Sequence, residues 1–280
     1  MHLEQAALNG ICPYFTMFPL DFPMGILNKR ARKGQSVLDP FCGRGTTNYA
    51  ARLAGLNSLG IDASPVAAAI SAAKMVSVDP VAIVNEMKII LEAPLVSYEV
   101  PRGDFWEWAY EPSVLIALSK LRAAFVNDCV STERIALRGI ILGALHGPRQ
   151  KTFQSYLSNQ SPRTYAPKPA YALNFWRSRG LKPGLVDIFD VVSRRAVRYY
   201  SSSVKNTGIV RLGDSRVEDV MKPPEGMGSY DWIITSPPYY GMRTYIPDQW
   251  LRSWFLGGAD TVEYVSSSQI QHSSPEDFSD

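Results

Sequence analysis

Cysteine and histidine are scarce in this sequence, which has three of each among 280 residues. Cys12, Cys42 and Cys129 lie too far apart for a disulfide framework or for a zinc site built from paired CxxC motifs. The three histidines are scattered along the chain and indicate no catalytic group. We therefore expect a protein of the reducing cytoplasm that holds no structural metal.

Long apolar runs are also absent. No window approaches the roughly 20 apolar residues that a membrane-spanning helix needs, and the sequence does not begin with a basic segment followed by an apolar core. Membrane and secretory functions are therefore not expected. Hydrophobic residues nevertheless make up 46% of the 280 positions, which is enough to bury one substantial core in one or two domains.

Charge is nearly balanced overall, at +3, but it is unevenly distributed. Between Arg149 and Lys205 the sequence has eleven basic residues and only two acidic ones. Such a block suits a polyphosphate partner, because each neutralised phosphate releases condensed counterions. A solvated helix face is the alternative. The candidate nucleic-acid contacts in this block are Arg149, Lys151, Arg163, Lys168, Arg177 and Arg179.

Strands and helices alternate near the start of the chain. Ser36–Asp39 is a predicted strand, followed by a glycine turn and a helix over Asn48–Ala54. Ser58–Asp62 is a second predicted strand, and Ser64-Pro65 then begins an alanine-rich helix. This alternation predicts an α/β fold with a parallel, Rossmann-like sheet, whose ligands bind at the carboxyl ends of the strands.

Helical periods replace this pattern between residues 76 and 206, as in Ser113–Asn127 and Glu133–Leu145, and predict a mostly helical insertion. Strand patterns return at Gly208–Leu212 and Tyr230–Thr235. We therefore expect three segments: an N-terminal part of the sheet domain (1–75), the insertion (76–206) and the catalytic part (207–280). The strands that complete most doubly wound sheets are not evident in the last segment, and their absence puts activity in question.

The turn after the first strand has the residues of a cofactor site. Gly43 and Gly45 allow the backbone to approach a ligand closely. Asp39 ends the strand, where its carboxylate can bind an ammonium group. Thr46, Thr47 and the free amides at the helix N-terminus suit a carboxylate group. Together these groups match the two ends of an amino acid.

Two further acids follow the next two strands. Asp62 is placed to accept hydrogen bonds from ribose hydroxyls, and Asp214 is placed to accept one from an adenine amino group. Phe41, which opens the FxGxG spacing, completes the predicted cofactor-binding set. A ligand with amino-acid, ribose and adenine parts is S-adenosylmethionine, which we predict as the cofactor.

Ser236-Pro237-Pro238-Tyr239 follows the last predicted strand and suits the acceptor of a methyl group. An exocyclic nitrogen of a base is a poor nucleophile, because its lone pair is delocalised into the ring. The Ser236 hydroxyl and the Pro237 carbonyl can accept its protons, while the two prolines hold the backbone rigid. Tyr239 can stack on a base extruded from the duplex. A rigid turn or a polyproline ligand is the alternative.

Together, Asp39-Pro-Phe-Cys-Gly-Arg-Gly-Thr-Thr47 and Thr235-Ser-Pro-Pro-Tyr239 resemble the motifs of the DNA amino-methyltransferases, the N4-cytosine and N6-adenine group. Tyr14-Phe-Thr-Met-Phe-Pro19 resembles the segment that precedes the glycine turn in that family, with Phe15 and Phe18 as packing residues. The resemblance implies a Rossmann-like methyltransferase fold, S-adenosylmethionine as cofactor and DNA as substrate. Serine before Pro-Pro-Tyr is more usual in the N4-cytosine enzymes, so we expect cytosine rather than adenine.

Two rival functions remain open. Related RNA enzymes have a similar Pro-Pro-Tyr turn, so methylation of an RNA guanine amino group is the second enzymatic interpretation. A truncated, non-catalytic DNA-binding remnant or subunit is the third, with Trp176, Tyr199 and Tyr200 supplying stacking surfaces. The insertion is the expected target-recognition region. A second chain that completes the sheet and a cognate restriction or defence protein are the candidate protein partners.

Overall fold

We analysed a computed structural model of the chain, which describes residues 7–14, 18–94, 97–148, 154–159, 169–202, 204, 208–237 and 245–262. These residues form two compact units. The sheet unit is drawn from Met1–Ser77, Ser202–Arg243 and Ser266–Asp280, and the helical unit from Val78–Ser201 and Thr244–Val265. In the described residues, none of the helices is both long and apolar enough to span a bilayer.

The sheet unit is built on four parallel strands in the order β3-β2-β1-β4. The strands are β1 (Ser36–Asp39), β2 (Asn57–Asp62), β3 (Ile209–Leu212) and β4 (Trp232–Ile233). From β1 the chain adds β2 and β3 on one side and β4 on the other, so the strand order reverses between β1 and β4. The predicted Rossmann-like α/β fold class is confirmed, and this reversal is where such sheets bind ligands.

Helices cover the sheet and provide its core. The helices of this unit are α1 (Asp21–Arg30), α2 (Thr46–Leu53), α3 (Pro65–Ala73) and α10 (Glu218–Met221). Val37 packs in a cluster with Leu27 of α1 and Ala50 of α2, whereas the next residue, Leu38, packs with Leu59 and Ile61. Because successive strand residues point to opposite faces, β1 is buried on both sides, as expected of a central parallel strand.

The start of α3 shows how local sequence sets an element boundary. Ser64 has an extended backbone and its side chain accepts a hydrogen bond from the Ala67 amide, while Pro65 occupies the first helical position. Both features favour helix initiation. The sequence therefore fixes the direction in which the chain leaves the carboxyl end of β2.

The helical unit contains α4 to α9 and α11. Their bounds are α4 Pro80–Glu92, α5 Asp104–Ala109, α6 Pro112–Asn127, α7 Thr132–Ala144, α8 Pro169–Ser178, α9 Ile188–Tyr200 and α11 Tyr245–Phe255. Its core is aromatic: the Trp106 ring lies 4.6 Å from Trp254 and 5.7 Å from Trp250 between centroids. Offset and tilted aromatic pairs of this kind add to the free energy of apolar burial.

The predicted segments differ from this division at the C-terminal end. Residues 207–280 were expected to form one catalytic segment, but α11 packs in the helical unit. The fourth strand is also shorter than the expected Tyr230–Thr235, since Trp232 and Ile233 are the residues that pair with β1 in the described part of the chain. The role of the insertion in target recognition stays a prediction.

Candidate active site at the carboxyl edge of the sheet

Asp39 and Thr235 meet at the reversal of the strand order. Asp39 is the last residue of β1, and Thr235 follows β4 by two positions. The Ile234 amide donates a hydrogen bond to the Leu38 carbonyl, at 3.1 Å, and aligns the two segments beyond the strands. The Thr235 hydroxyl then donates to Oδ1 of Asp39 at 2.6 Å. The glycine motif and the Ser236 turn are therefore joined by a direct hydrogen bond.

The Asp39 carboxyl group is buried, with 3% of the residue exposed. Burial raises its pKa to about 6, and the nearby charge of Asp62 acts in the same direction. Hydrogen bonds from the Thr235 hydroxyl and the Phe41 amide, together with the nearby Thr47 hydroxyl, partly oppose that rise. All of these donors are neutral, and no ion pair to Asp39 is found among the described residues. A cationic group at this position would stabilise the ionised form.

The glycine turn is open on one side and closely packed on the other. Gly43 has a φ of +51°, and a β-carbon there would meet no atom of the described residues within 4 Å. Gly45 has a φ of +74°, and its β-carbon would lie only 2.1 Å from Oγ of Ser71 on α3. The first glycine leaves the backbone accessible to a ligand, while the second allows α2 and α3 to approach each other.

The N-terminus of α2 has a hydroxyl group without a partner in the described part of the chain. Gly45 caps this helix, and no described side chain hydrogen-bonds to its first amides. Thr46 is 2% exposed, and its buried Oγ1 has no hydrogen-bond partner among the described residues. Buried polar atoms of this kind are uncommon in native proteins and call for a physical explanation. A carboxylate at the helix N-terminus would accept from this hydroxyl and from the backbone amides.

Asp62 has a structural role that the sequence analysis did not foresee. Its Oδ2 accepts a hydrogen bond from the Gly43 amide at 2.8 Å, and its Oδ1 accepts one from the Ser64 amide at 2.9 Å. The carboxylate thus braces the glycine turn against the start of α3. Burial raises its pKa, while these two amides oppose the shift. A carboxylate has about four acceptor positions, so acceptance from a ribose hydroxyl remains compatible with this arrangement.

Asp214 follows β3 and lies close in space to the carboxyl end of β2, since the Gly213 amide donates to the Asp62 carbonyl at 3.0 Å. The Asp214 side chain is 41% exposed and forms an ion pair with Arg216 at 2.7 Å. The hydrogen bonds from Arg216 lower the pKa of this carboxyl. Acceptance from an adenine amino group would therefore compete with Arg216, and this assignment stays a prediction.

The acceptor motif is only partly described. Ser236 is half-buried and Pro237 is exposed, whereas Pro238 and Tyr239 lie outside the described residues. Phe18 packs against Phe22, with ring centroids 5.2 Å apart. This contact agrees with a packing role for Phe18. Phe15 lies outside the described residues.

The helical unit presents a basic-aromatic surface, formed by Trp108, Phe175, Arg177, Arg179 and Lys182. Nζ of Lys182 lies 3.7 Å from the centre of the Trp108 ring, and the Arg179 guanidinium lies 4.3 Å from that of Phe175. Arg177 also forms an ion pair with Asp104 at 2.7 Å. Of the other candidate contacts, Arg149, Lys151, Arg163 and Lys168 lie outside the described residues.

The aromatic residues assigned to stacking in the remnant interpretation are buried instead. Trp176 is 2% exposed, Tyr199 7% and Tyr200 6%. Trp176 packs against Phe105 in the helical unit, with 5.7 Å between the two ring centroids. A side chain in a close-packed interior cannot stack on a nucleic-acid base, so that interpretation was wrong for these three residues.

Comparison with known proteins identifies the segment that contains the glycine turn. Residues 4–73 match the N6_N4_Mtase family model, described as DNA methylase. The resemblance indicated by the sequence motifs is therefore confirmed over this segment, which includes β1, β2 and the turn between them. The acceptor motif at Ser236 lies outside the matched residues.

A characterised relative gives a shorter match. Over 34 residues the chain is 53% identical to the Type II methyltransferase M.BsoBI of Geobacillus stearothermophilus. That segment covers 12% of this chain and 7% of the relative. No solved structure matches the chain. The family is thus supported at the glycine-motif end, and the chain's activity and substrate are argued from the site below.

Proposed function

We propose that this chain acts in the cytoplasm as an S-adenosylmethionine-dependent DNA methyltransferase that modifies an exocyclic amino group, with N4 of cytosine favoured over N6 of adenine. One observation carries the proposal. The buried Asp39 carboxylate, which lacks an ion-pair partner among the described residues, is hydrogen-bonded to the residue that precedes Ser236. An acid suited to an ammonium group thus adjoins the turn suited to a base amine.

The residues present fit S-adenosylmethionine by the chemistry of their donors and acceptors. Asp39 would hold the ammonium group, while Thr46 and the first amides of α2 would hold the carboxylate. Asp62 and Asp214 would accept from the ribose and the adenine amine. The bound cofactor would supply an electrophilic methyl group. Burial of Asp39 strengthens its attraction for a cation, because the site has a lower effective dielectric constant than water.

The Ser236 turn would prepare the acceptor nitrogen. The serine hydroxyl and the Pro237 carbonyl would accept hydrogen bonds from the amine and favour the geometry in which its lone pair is available. The preference for cytosine comes from the serine in this position, through the family resemblance. Tyr239 would stack on the extruded base, and such stacking contributes about 1 to 3 kcal/mol.

The basic-aromatic surface is the proposed contact with the DNA backbone. Arg179 and Lys182 lie over aromatic rings but form no ion pair to an acid among the described residues. Such cations can neutralise phosphates while keeping their alkyl stems packed. A cognate restriction or defence protein would be the functional partner.

The direct test is transfer of a labelled methyl group from S-adenosylmethionine to mixed-sequence DNA, with RNA in parallel, followed by mass analysis of the nucleosides. N4-methylcytosine is the expected product. N6-methyladenine would keep the class and correct the base, while methylated guanine in RNA would favour the RNA interpretation. No transfer by a folded chain that binds DNA would favour the non-catalytic remnant.

Ser236→Ala tests the acceptor turn. It should lower turnover by about 10²-fold, the usual effect of removing one preorganised hydrogen-bonding group from an active site. Its affinity for S-adenosylhomocysteine should change little. Ser253→Ala, an exposed substitution in α11, is the matched control and should leave turnover unchanged. Equal losses of turnover in both variants would contradict the assigned role.

A further inference from the structure

The bond between Thr235 and Asp39 extends the pairing of β1 and β4 through side chains. In the sheet, Leu38 pairs with Ile233, and the Ile234 amide donates to the Leu38 carbonyl. No backbone hydrogen bond fixes the following residue to β1 in the described structure. The Thr235 hydroxyl supplies the next connection, at 2.6 Å from Oδ1 of Asp39. The position of the Ser236 backbone therefore depends on this hydroxyl.

The acceptor of that bond is the Asp39 carboxylate, whose pKa is subject to opposing effects. Its pKa is raised to about 6, chiefly by burial. The titratable groups that face it are Asp62 at the end of β2 and the buried Cys42 thiol, whose own pKa is raised by burial and by both acids. The buried Lys74 of the α3 end acts on Cys42 in the opposite direction. Thr235 favours the ionised form of Asp39, because its hydroxyl donates to the carboxylate.

We propose that Thr235 is a positioning residue that connects Asp39, on the cofactor side of the site, to the Ser236 turn on the acceptor side. Through one hydrogen bond, at 2.6 Å, it holds the start of the Ser236 turn in place and donates to the carboxylate that would bind the cofactor's ammonium group. This proposal rests on the proposed function for its cofactor half. The bond itself belongs to the chain alone and can be tested without any ligand.

The ligand-free readout is the pH dependence of stability. Because the folded pKa of Asp39 lies above its ordinary value, the folded chain binds an extra proton between about pH 4 and 6, and stability declines as the pH rises through that window. Thr235→Val removes the donor with little change in shape. Without the donor, the pKa of Asp39 in the folded chain should rise by about half to one unit. The stability of the variant should therefore go on declining to a correspondingly higher pH. Thr235→Ser keeps the donor and should retain the wild-type profile.

The cofactor readout is calorimetric binding of S-adenosylhomocysteine to the full chain across the same pH range. Affinity should rise as Asp39 ionises, and the midpoint of that rise should move upward in Thr235→Val by the same amount as the stability profile. With DNA present, the variant should lose turnover at pH 8, where Asp39 is ionised in both proteins, because the Ser236 turn is no longer held. Thr132→Val, at an exposed helix start in the helical unit, is the control and should shift neither profile.

The outcomes separate the inference from the proposed function. Unshifted pH profiles in Thr235→Val, with stability lowered by an equal amount at every pH, would overturn the inference and leave an ordinary structural threonine. A shifted stability profile in a chain that does not bind S-adenosylhomocysteine would support the Thr235 to Asp39 link and overturn its cofactor half together with the proposed function. If Thr235→Val fails to fold, Thr235→Ala replaces it with the same expectations.

Discussion

The two units of the molecule differ in the charges at their proposed sites. The sheet unit buries one acid at the carboxyl edge of its strands, since Asp39 is 3% exposed and has no ion-pair partner in the described part of the chain. The helical unit exposes the cations of its basic-aromatic surface and buries aromatic rings such as Trp106 and Trp254. Each unit also buries cations away from these sites, namely Arg44, Arg52 and Lys74 in the sheet unit and Arg252 in the helical unit. A buried charge is costly unless it is paired or hydrogen-bonded, whereas an exposed charge costs little. The position of the buried acid at the carboxyl edge of the sheet, rather than burial or the number of charges alone, is therefore the better guide to the active site.

The largest expected effect tests whether the aromatic residues of the helical unit are core. Trp176→Ala should lower the free energy of unfolding by about 3 to 5 kcal/mol, because it leaves a large cavity in a close-packed interior. Tyr171→Ala, on the same helix but 50% exposed, should change it by less than about 1 kcal/mol. Urea unfolding measures both. A small change in the free energy of unfolding for Trp176→Ala would mean that Trp176 is not part of the core, and it would again be a candidate for stacking on a base.

Two glycine substitutions compare the close-packed turn of the sheet unit with the exposed surface of the helical unit. Gly45→Ala combines a left-handed backbone with a β-carbon that would lie 2.1 Å from Ser71 Oγ, and should destabilise the chain by about 2 to 5 kcal/mol. Gly180 in the helical unit has a φ of +62°, but a β-carbon there would meet no atom of the described residues within 4 Å, so Gly180→Ala should have only the backbone cost of about 1 to 2 kcal/mol. Thermal unfolding compares them. Equal losses would show that the contact with Ser71 relaxes freely.

Asp39→Asn should separate stability from function. The wild-type pKa of about 6 against an ordinary 3.8 implies that ionised Asp39 reduces stability by up to about 3 kcal/mol above pH 6. The variant should gain stability at pH 7 and lose that advantage below about pH 4, while its affinity for S-adenosylhomocysteine falls about 10- to 100-fold. Chemical unfolding at several pH values and calorimetry measure the two effects. A variant with lower stability at pH 7 would contradict the inferred cost of this buried charge.

Sequence patterns predicted the sheet and the glycine turn well, because strand and helix periods and the positions of Gly43 and Gly45 are local properties. They did not reveal the partner of Asp39, since Thr235 lies 196 positions away and meets it only through the pairing of β1 with β4. Nor did they reveal that Asp62 braces the glycine turn. The burial of Trp176 was also missed, because a tryptophan in a basic segment suits either a core or a stacking surface until the helices pack.

The smallest expected effect concerns the basic-aromatic surface and decides whether its cations act individually. Arg179→Ala and Lys182→Ala should each reduce the slope of log affinity for DNA against log salt by about one unit, since each removes one phosphate contact. Arg194→Ala is the matched control, because the Arg194 guanidinium already forms an ion pair with Asp190 at 2.7 Å, and its slope should match the wild type. Fluorescence anisotropy over a range of salt concentrations measures all three. A similar drop in slope for Arg194→Ala would mean that the basic block acts as a diffuse charge. In that case the helical unit would have no specific surface cations to set against the specific buried acid of the sheet unit.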